Sequence, residues 1–151
     1  MRKPARVDWQ AMRIRAPDPG DVAFVVGLAA SVVGERRAGP LVRAHVERAE
    51  LLVAEADGAP VGFIAYRTDW FGCGFVSLVV VAEPARRRGV ARALFEAVEH
   101  RAPSPRLFSS TEETNATSIQ MHRALGFIPA GHIDHLPQGH RELLFYKRLR
   151  P

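Results

Sequence analysis

Cysteine is almost missing from this chain of 151 residues: Cys73 is the only one. No intrachain disulfide can form, and a four-thiolate metal site is excluded. A reducing, cytoplasmic setting is the corresponding expectation. Lysine is nearly as scarce. Lys3 and Lys147 are the only lysines among 21 basic residues, so the net charge of +5 is carried by arginine. Arginine suits planar, bidentate phosphate recognition, although codon bias in the source genome would leave the same composition. The excess permits an anionic ligand, either a nucleotide cofactor or nucleic acid. No run of about 18 apolar residues is present, so no membrane span is expected. The apolar stretch Val22 to Val33 has about the length of an export signal's core, but it starts late and follows Asp18 and Asp21. It reads instead as an amphipathic core helix. Repeats and low-complexity tracts are absent, as are Gly-x-x-x-x-Gly-Lys-Ser/Thr and Gly-x-Gly-x-x-Gly. What remains, 47% hydrophobic and 25% charged, is the composition of a soluble globular protein. The length suits one domain, over residues 12–150, behind an N-terminal tail of residues 1–11.

Periodicity supplies the elements. Met12 to Arg15 alternates as a half-buried strand does. Pro17 to Asp21 is a turn with helix-start chemistry, and Val22, Val25, Leu28, Ala29 and Val32 follow at helical spacing. Gly34 to Pro40 breaks that helix, and Leu41 to Ala49 forms a second. Leu51 to Glu55 and Val61 to Tyr66 are strands joined at the Asp57-Gly58 hairpin turn. Thr68 to Gly74 is a loop. Phe75 to Val81 reads as a fully buried strand that stops before Pro84. Gly89 to His100 is helical, Arg106 to Ser110 a strand, and Asn115 to Leu125 a helix closed by Gly126. Phe127 to Ile133 and Glu142 to Lys147 are the last strands, joined by a histidine-rich loop. The order is β-α-α-β-β-β-α-β-α-β-β. A helix between buried strands implies one parallel βαβ pair.

The segment Val79-Val80-Val81-Ala82-Glu83-Pro84-Ala85-Arg86-Arg87-Arg88-Gly89-Val90-Ala91-Arg92 carries the chemistry. A helix N-terminus presents unpaired N–H groups and partial positive charge, and phosphates bind there. Gly89 permits close backbone approach. Arg86, Arg87 and Arg88 add charge; alone they read equally well as a solvated basic turn. A strand-loop-helix at the carboxyl edge of a sheet is also where ligands of α/β folds bind.

The string Val81-x-x-Pro84-x-Arg86-x-x-Gly89-x-Ala91-x-x-Leu94 resembles the cofactor motif of the GNAT superfamily of acetyl-CoA-dependent N-acetyltransferases. Asn115-x-x-Ser118-x-x-Met121-His122-Arg123-x-Leu125-Gly126-Phe127 follows at the matching distance, and its wording is most similar to the phosphinothricin-acetyltransferase-like branch. Together with the element order, the resemblance covers residues 12–150. It implies a three-layer α/β (α+β) fold with a mixed, mostly antiparallel sheet. It also implies direct acetyl transfer from acetyl-CoA to an amine. The pyrophosphate would lie on Arg86 to Arg92, residues 79 and 81 would pair their backbones with the pantetheine arm, and a backbone N–H of the Val79-Val80-Val81 stretch would support the developing oxyanion. Asn115 and Ser118 would contact the cofactor, although Asn115 could equally be a helix N-cap. His122 stands where many relatives place an acidic tyrosine, so it could protonate the leaving thiolate. It could also only hydrogen-bond the cofactor, or be solvated.

The general base is not evident. Glu112 and Glu113 are the nearest carboxylates in sequence, and both could be plain surface residues. The resemblance puts Glu35, Arg36 and Arg37 near the acceptor, where the Arg36-Arg37 pair could clamp a carboxylate. Trp70 and Phe71 could close over an apolar side chain or simply pack in the core. His135 and His140, with His132, suit a polar loop at the acceptor mouth better than a metal site, because their spacing fits no zinc motif. The expected partner is a small-molecule amine, with no nucleic acid and no membrane; two copies could pair as a homodimer. The alternatives are a protein N-terminus or lysine as acceptor, or a non-catalytic module binding CoA or nucleic acid.

Overall fold

The computed structural model describes residues 6–150. Residues 1–5 of the expected tail lie outside the described residues. The rest of the tail contains a 3₁₀ turn, Trp9–Ala11, capped by the Asp8 carboxylate accepting from the Gln10 amide at 3.0 Å. Seven strands and four helices then follow in the expected order: β1 (Arg13–Arg15), α1 (Val22–Val33), α2 (Glu35–Glu47), β2 (Leu51–Ala56), β3 (Ala59–Trp70), β4 (Cys73–Val81), α3 (Val90–Glu99), β5 (Arg106–Glu112), α4 (Ala116–Ala124), β6 (Ile128–Ile133) and β7 (Glu142–Arg148). The strands form one open sheet in the order β1-β2-β3-β4-β5-β7-β6. Its β4/β5 pair is parallel, from Gly74 opposite Leu107 to Val76 opposite Ser109. The pairs β1/β2, β2/β3, β5/β7 and β6/β7 are antiparallel.

The chain forms two compact units. The first runs to Ala65 and takes in Leu78–Ala97; the second holds Tyr66–Ser77 and the chain from Val98. In the first, Val53 and Phe63 are cross-strand partners, and they share a core with Val25 and Ala29 of α1 and Ala38 and Val42 of α2. Gly62, one residue along, points the other way. A Cβ there would come within 3.4 Å of Val90 at the start of α3 and 3.0 Å of the Val80 carbonyl. Helices therefore cover both faces of these strands. In the second unit the buried Leu107 and Phe145 belong to β5 and β7.

Several local expectations need correction. Thr68 to Trp70 extend β3 and Cys73 already belongs to β4, so the expected loop shrinks to a two-residue turn. Phe71 and Gly72 both have positive φ, 52° and 72°, as a tight hairpin turn of the primed type demands. A phenylalanine in that region is uncommon, which hid the turn. The second helix begins at Glu35 rather than Leu41 and contains Pro40. Gly34, at φ 86°, breaks the chain direction in a single residue, and the helix restarts at once. α1 is not amphipathic: its inner stripe is buried, but Phe24 and Val32 are exposed on the outside. β4 is not buried on both faces; Val76 and Val80 are buried while Phe75, Ser77, Val79 and Val81 are half-exposed.

A buried ion pair pins β1 to the start of α1. Arg15 donates to both Asp21 oxygens, at 2.6 and 3.2 Å, and to Glu55 at 3.3 Å. Asp21 also accepts from the Asp18 amide at 2.7 Å. The arginine holds the Asp21 carboxyl below its usual value. That contribution is present above the unfolded carboxylate pKa and is lost as pH falls through the folded one. Arg15→Met should therefore cost about 2–3 kcal/mol, because a buried carboxylate loses its partner. Urea denaturation near neutral pH checks this, and an unchanged midpoint would make the pair ornamental.

Candidate active site

The turn between β4 and α3 has the geometry of a phosphate cradle. The backbone passes through the left-handed region twice, at Arg87 (φ 62°) and Gly89 (φ 80°). The Arg86 Nε–H donates to the Val81 carbonyl at 3.1 Å, tying the arginine run to the end of the strand. The Ala93 amide bonds the Gly89 carbonyl at 3.1 Å. The amides of Val90 and Ala91 therefore precede the helical ladder and face outward at the positive end of the helix dipole. Arg86, Arg87, Arg88 and Gly89 are exposed, whereas Val90 is buried and anchors the turn. Arg88 also lies over the Trp9 ring at 5.8 Å. A Cβ built on Gly89 would meet nothing within 4 Å, so the space beside the turn is open. Donors, charge and room fit a pyrophosphate.

Asn115, Ser118 and His122 lie along α4. The Asn115 side chain caps the helix, accepting from the Ser118 amide at 3.0 Å, so the N-cap reading holds. His122 is only 1% exposed. Its Nδ1 lies 2.7 Å from the Ser118 carbonyl, which can only accept, so Nδ1 carries the hydrogen. Its Nε2 lies 2.7 Å from the Ser109 hydroxyl and, in the neutral ring, accepts from it. The ring stacks on Phe145 at 4.6 Å and meets Phe127 edge-on at 5.4 Å. Burial pushes its pKa below the usual value. This corrects the solvated reading. It also leaves the expected acid role without geometric support, because both ring nitrogens are engaged within the protein.

The other candidates divide. Trp70 stacks on Phe75 at 4.8 Å and approaches Phe108 at 5.1 Å, and Phe108 meets Tyr146 at 5.4 Å. Phe71 lies edge-on to Trp70 and is 88% exposed, so core packing fails for Phe71. His135 and His140 line an open cavity of about 560 Å³ together with Glu113, Asp134 and Arg141. Arg141 donates to both Asp134 oxygens, at 2.8 and 3.3 Å, and His132 Nε2 is 3.5 Å from Asp134. Glu112 ends β5 directly opposite Glu142 of β7. Glu35, Arg36 and Arg37 form the exposed first turn of α2 rather than an interhelical loop. Asp134, Arg141 and Glu142 were missed. The first two sit in the segment read only for its histidines, and Glu142 becomes interesting only through strand register.

With this geometry in place, comparison with known proteins identifies the class. Residues 17–127 match the model of the acetyltransferase (GNAT) family. The chain belongs to that family, whose members are acyltransferases using acetyl-CoA as donor. Among individual relatives, it is 34% identical over 89 residues to the peptidyl-lysine N-acetyltransferase YiaC of Escherichia coli. That match covers 58% of this chain and 57% of YiaC, so the chain spans just over half the length of the curated relative it matches. A GNAT acetyltransferase of Bacillus cereus superimposes with a TM-score of 0.81 at 28% identity, over 91% of this chain and 96% of the other. YncA of Salmonella typhimurium, a structure determined with acetyl-CoA, superimposes with a TM-score of 0.72 at 20% identity, over 93% and 95%. No helix among the described residues is long and apolar enough to cross a membrane.

Proposed function

We propose that this chain is a single-domain N-acetyltransferase, over residues 12–150, that moves an acetyl group from acetyl-CoA to a primary amine of a small molecule. The observation that carries the reading is the β4–α3 turn, where amides, arginines and an unobstructed Gly89 converge on space for a pyrophosphate. Bound there, acetyl-CoA supplies an activated thioester. Val79 and Val81, on the half-exposed face of β4, offer backbone groups to the pantetheine arm, and an amide of that strand supports the carbonyl oxygen as it gains charge. Holding both reactants in one place supplies the orientation that dilute reactants lack. The acceptor is bound at the polar cavity of Glu113, His135 and His140, where a carboxylate suits its ammonium group. The aromatic row from Phe108 to Phe71 runs away from that cavity along the parallel β4/β5 pair, and at about 3.3 Å per residue it is too far for one small amine to reach both.

A second reading, a lysine side chain of a protein as acceptor, draws support from the likeness to YiaC. Thiol release measured across alkylamines, arylalkylamines, amino acids and lysine peptides separates the two. The small amines should lead, and Glu113→Gln should raise their KM about three- to tenfold with kcat little changed, as expected for loss of an exposed charge partner worth about 1 kcal/mol. Lysine peptides leading the panel, with free amines inert, would replace the small-molecule reading by the second one.

A further inference from the structure

β5 and β7 pair in an antiparallel register that places Glu112 opposite Glu142, Ser110 opposite Leu144 and Phe108 opposite Tyr146. Cross-strand partners in such a ladder, and residues two apart along each strand, share a face. One face of this pair therefore carries, in order, the Phe108–Tyr146 aromatic contact, Ser110 with Leu144, and then two carboxylates. All six residues are half-exposed. The opposite face is the one closed by His122 on Ser109 and Phe145. The half-open face thus runs from aromatic rings to a polar end where two glutamates stand across a ladder. Like charges directly opposite are destabilising, and here both carboxylates lie on a half-exposed face.

We propose that Glu142 is the general base of the reaction: its carboxylate, oriented by the Ser110 hydroxyl and set against Glu112, takes the proton from the acceptor's ammonium group. The inference rests on the acetyltransferase reading above and deepens it, supplying the base that neither β4 nor the stretch after β5 revealed. Two features of its surroundings suit the role. Ser110 is the diagonal cross-strand neighbour of Glu142 and its hydroxyl is a hydrogen-bond partner for the carboxylate, which lowers its proton affinity, whereas partial burial, the largest cause, and the Glu112 charge raise it, leaving it above that of an ordinary glutamate. A base held nearer neutrality transfers protons more effectively than an exposed carboxylate. The other charged groups nearby are accounted for. β6 puts Ile133 opposite Glu142, with His132 opposite Leu143, and that histidine lies beside Asp134. Arg141, adjacent in the chain, is held by Asp134 and feels Glu113. Tyr146 lies further along the same face.

The protons balance. R–NH₃⁺ gives one proton to the Glu142 carboxylate and becomes R–NH₂. The nitrogen lone pair forms the C–N bond to the thioester carbonyl carbon, and the C–S bond breaks with its pair leaving on sulfur. The second proton lost from nitrogen ends on the thiolate, giving the thiol. Glu142 returns its proton to water.

The test uses Glu142→Gln, which keeps shape and can still accept from Ser110, with 2-phenylethylamine and Nα-acetyl-lysine amide as acceptor probes. Acetyl-CoA affinity by calorimetry should be unchanged. At neutral pH, kcat/KM should fall roughly a hundredfold, the low end of general-base contributions. The deficit should shrink as pH approaches the amine's own pKa, where the acceptor no longer needs a base. A purely structural role would give a deficit equal at every pH. A second readout needs no acceptor: carboxyl carbon NMR of the free protein, assigned by difference against Glu142→Gln, should show Glu142 titrating above the exposed glutamates. Ser110→Ala should move it higher still. Glu142→Gln turning over like the parent, or Glu142 titrating with the exposed glutamates, overturns the assignment and leaves the acetyltransferase reading standing. Absence of acetyl-CoA binding by the parent protein overturns both.

Discussion

Gly89→Glu should abolish measurable acetyl-CoA binding while leaving the fold intact. Gly89 sits at φ 80°, where an L-residue costs about 1–2 kcal/mol. The space beside it is empty to 4 Å, so a longer side chain projects into the opening where the phosphates would lie. The added carboxylate then faces the pyrophosphate at close range and competes for Arg86, Arg87 and Arg88. Together these should weaken binding by more than about a hundredfold, or roughly 3 kcal/mol. Gly89→Ala separates the contributions, because it carries the backbone strain without the charge or the reach and should lose only about tenfold. Calorimetry with acetyl-CoA measures both, with circular dichroism as the check on folding. Equal losses in the two variants would mean that backbone conformation, not phosphate proximity, governs the site. Unchanged affinity in Gly89→Glu would move the cofactor away from this turn altogether.

The turn was legible in the sequence because its determinants are local. A β-branched run, a proline stop, three arginines, a glycine and a helical period occupy adjacent positions, and the same forces that set them in a row set them in space. The order of strands and helices was legible for the same reason. Legibility failed where local signals conflict with tertiary context. Phe71 holds a left-handed conformation that its side chain disfavours, so a two-residue turn looked like the middle of a long loop. Pro40 ordinarily ends a helix, yet α2 runs through it because Ala38 and Val42 on the same helix are buried in the core. Glu142 was invisible as a candidate because its significance lies in register. Only the ladder puts it opposite Glu112 and within reach of Ser110. His122 is the opposite case. Its position in the motif pointed to proton transfer, but burial is a property of the packed molecule, and no spacing announces that Ser109 and the Ser118 carbonyl will engage both ring nitrogens.

That burial leads to the second large expectation: His122 holds β5, β7 and α4 together and contributes little to proton transfer. His122→Phe keeps an aromatic ring against Phe145 but removes the acceptor for Ser109, a hydroxyl that is itself buried. An orphaned buried hydroxyl costs about 1–3 kcal/mol, which for a domain of this size lowers Tm by roughly 2–12 °C. Removing the hydroxyl as well, in the Ser109→Ala, His122→Phe double variant, should recover part of that loss, because two apolar partners need no hydrogen bond. The pH dependence has a definite sign. The folded-state pKa lies below the unfolded value of about 6.5, so the unfolded chain takes up the proton first as the medium is acidified. Stability from this group is full above about 6.5 and declines as pH falls from there towards the lowered folded value. The parent should therefore lose Tm on mild acidification, and His122→Phe should lose less over the same interval. Turnover discriminates between the roles. Measured well below Tm, kcat of His122→Phe should stay within about threefold of the parent, whereas loss of a general acid costs on the order of a hundredfold or more. A drop of that size in a variant whose Tm and acid sensitivity match the parent would restore His122 as the proton donor.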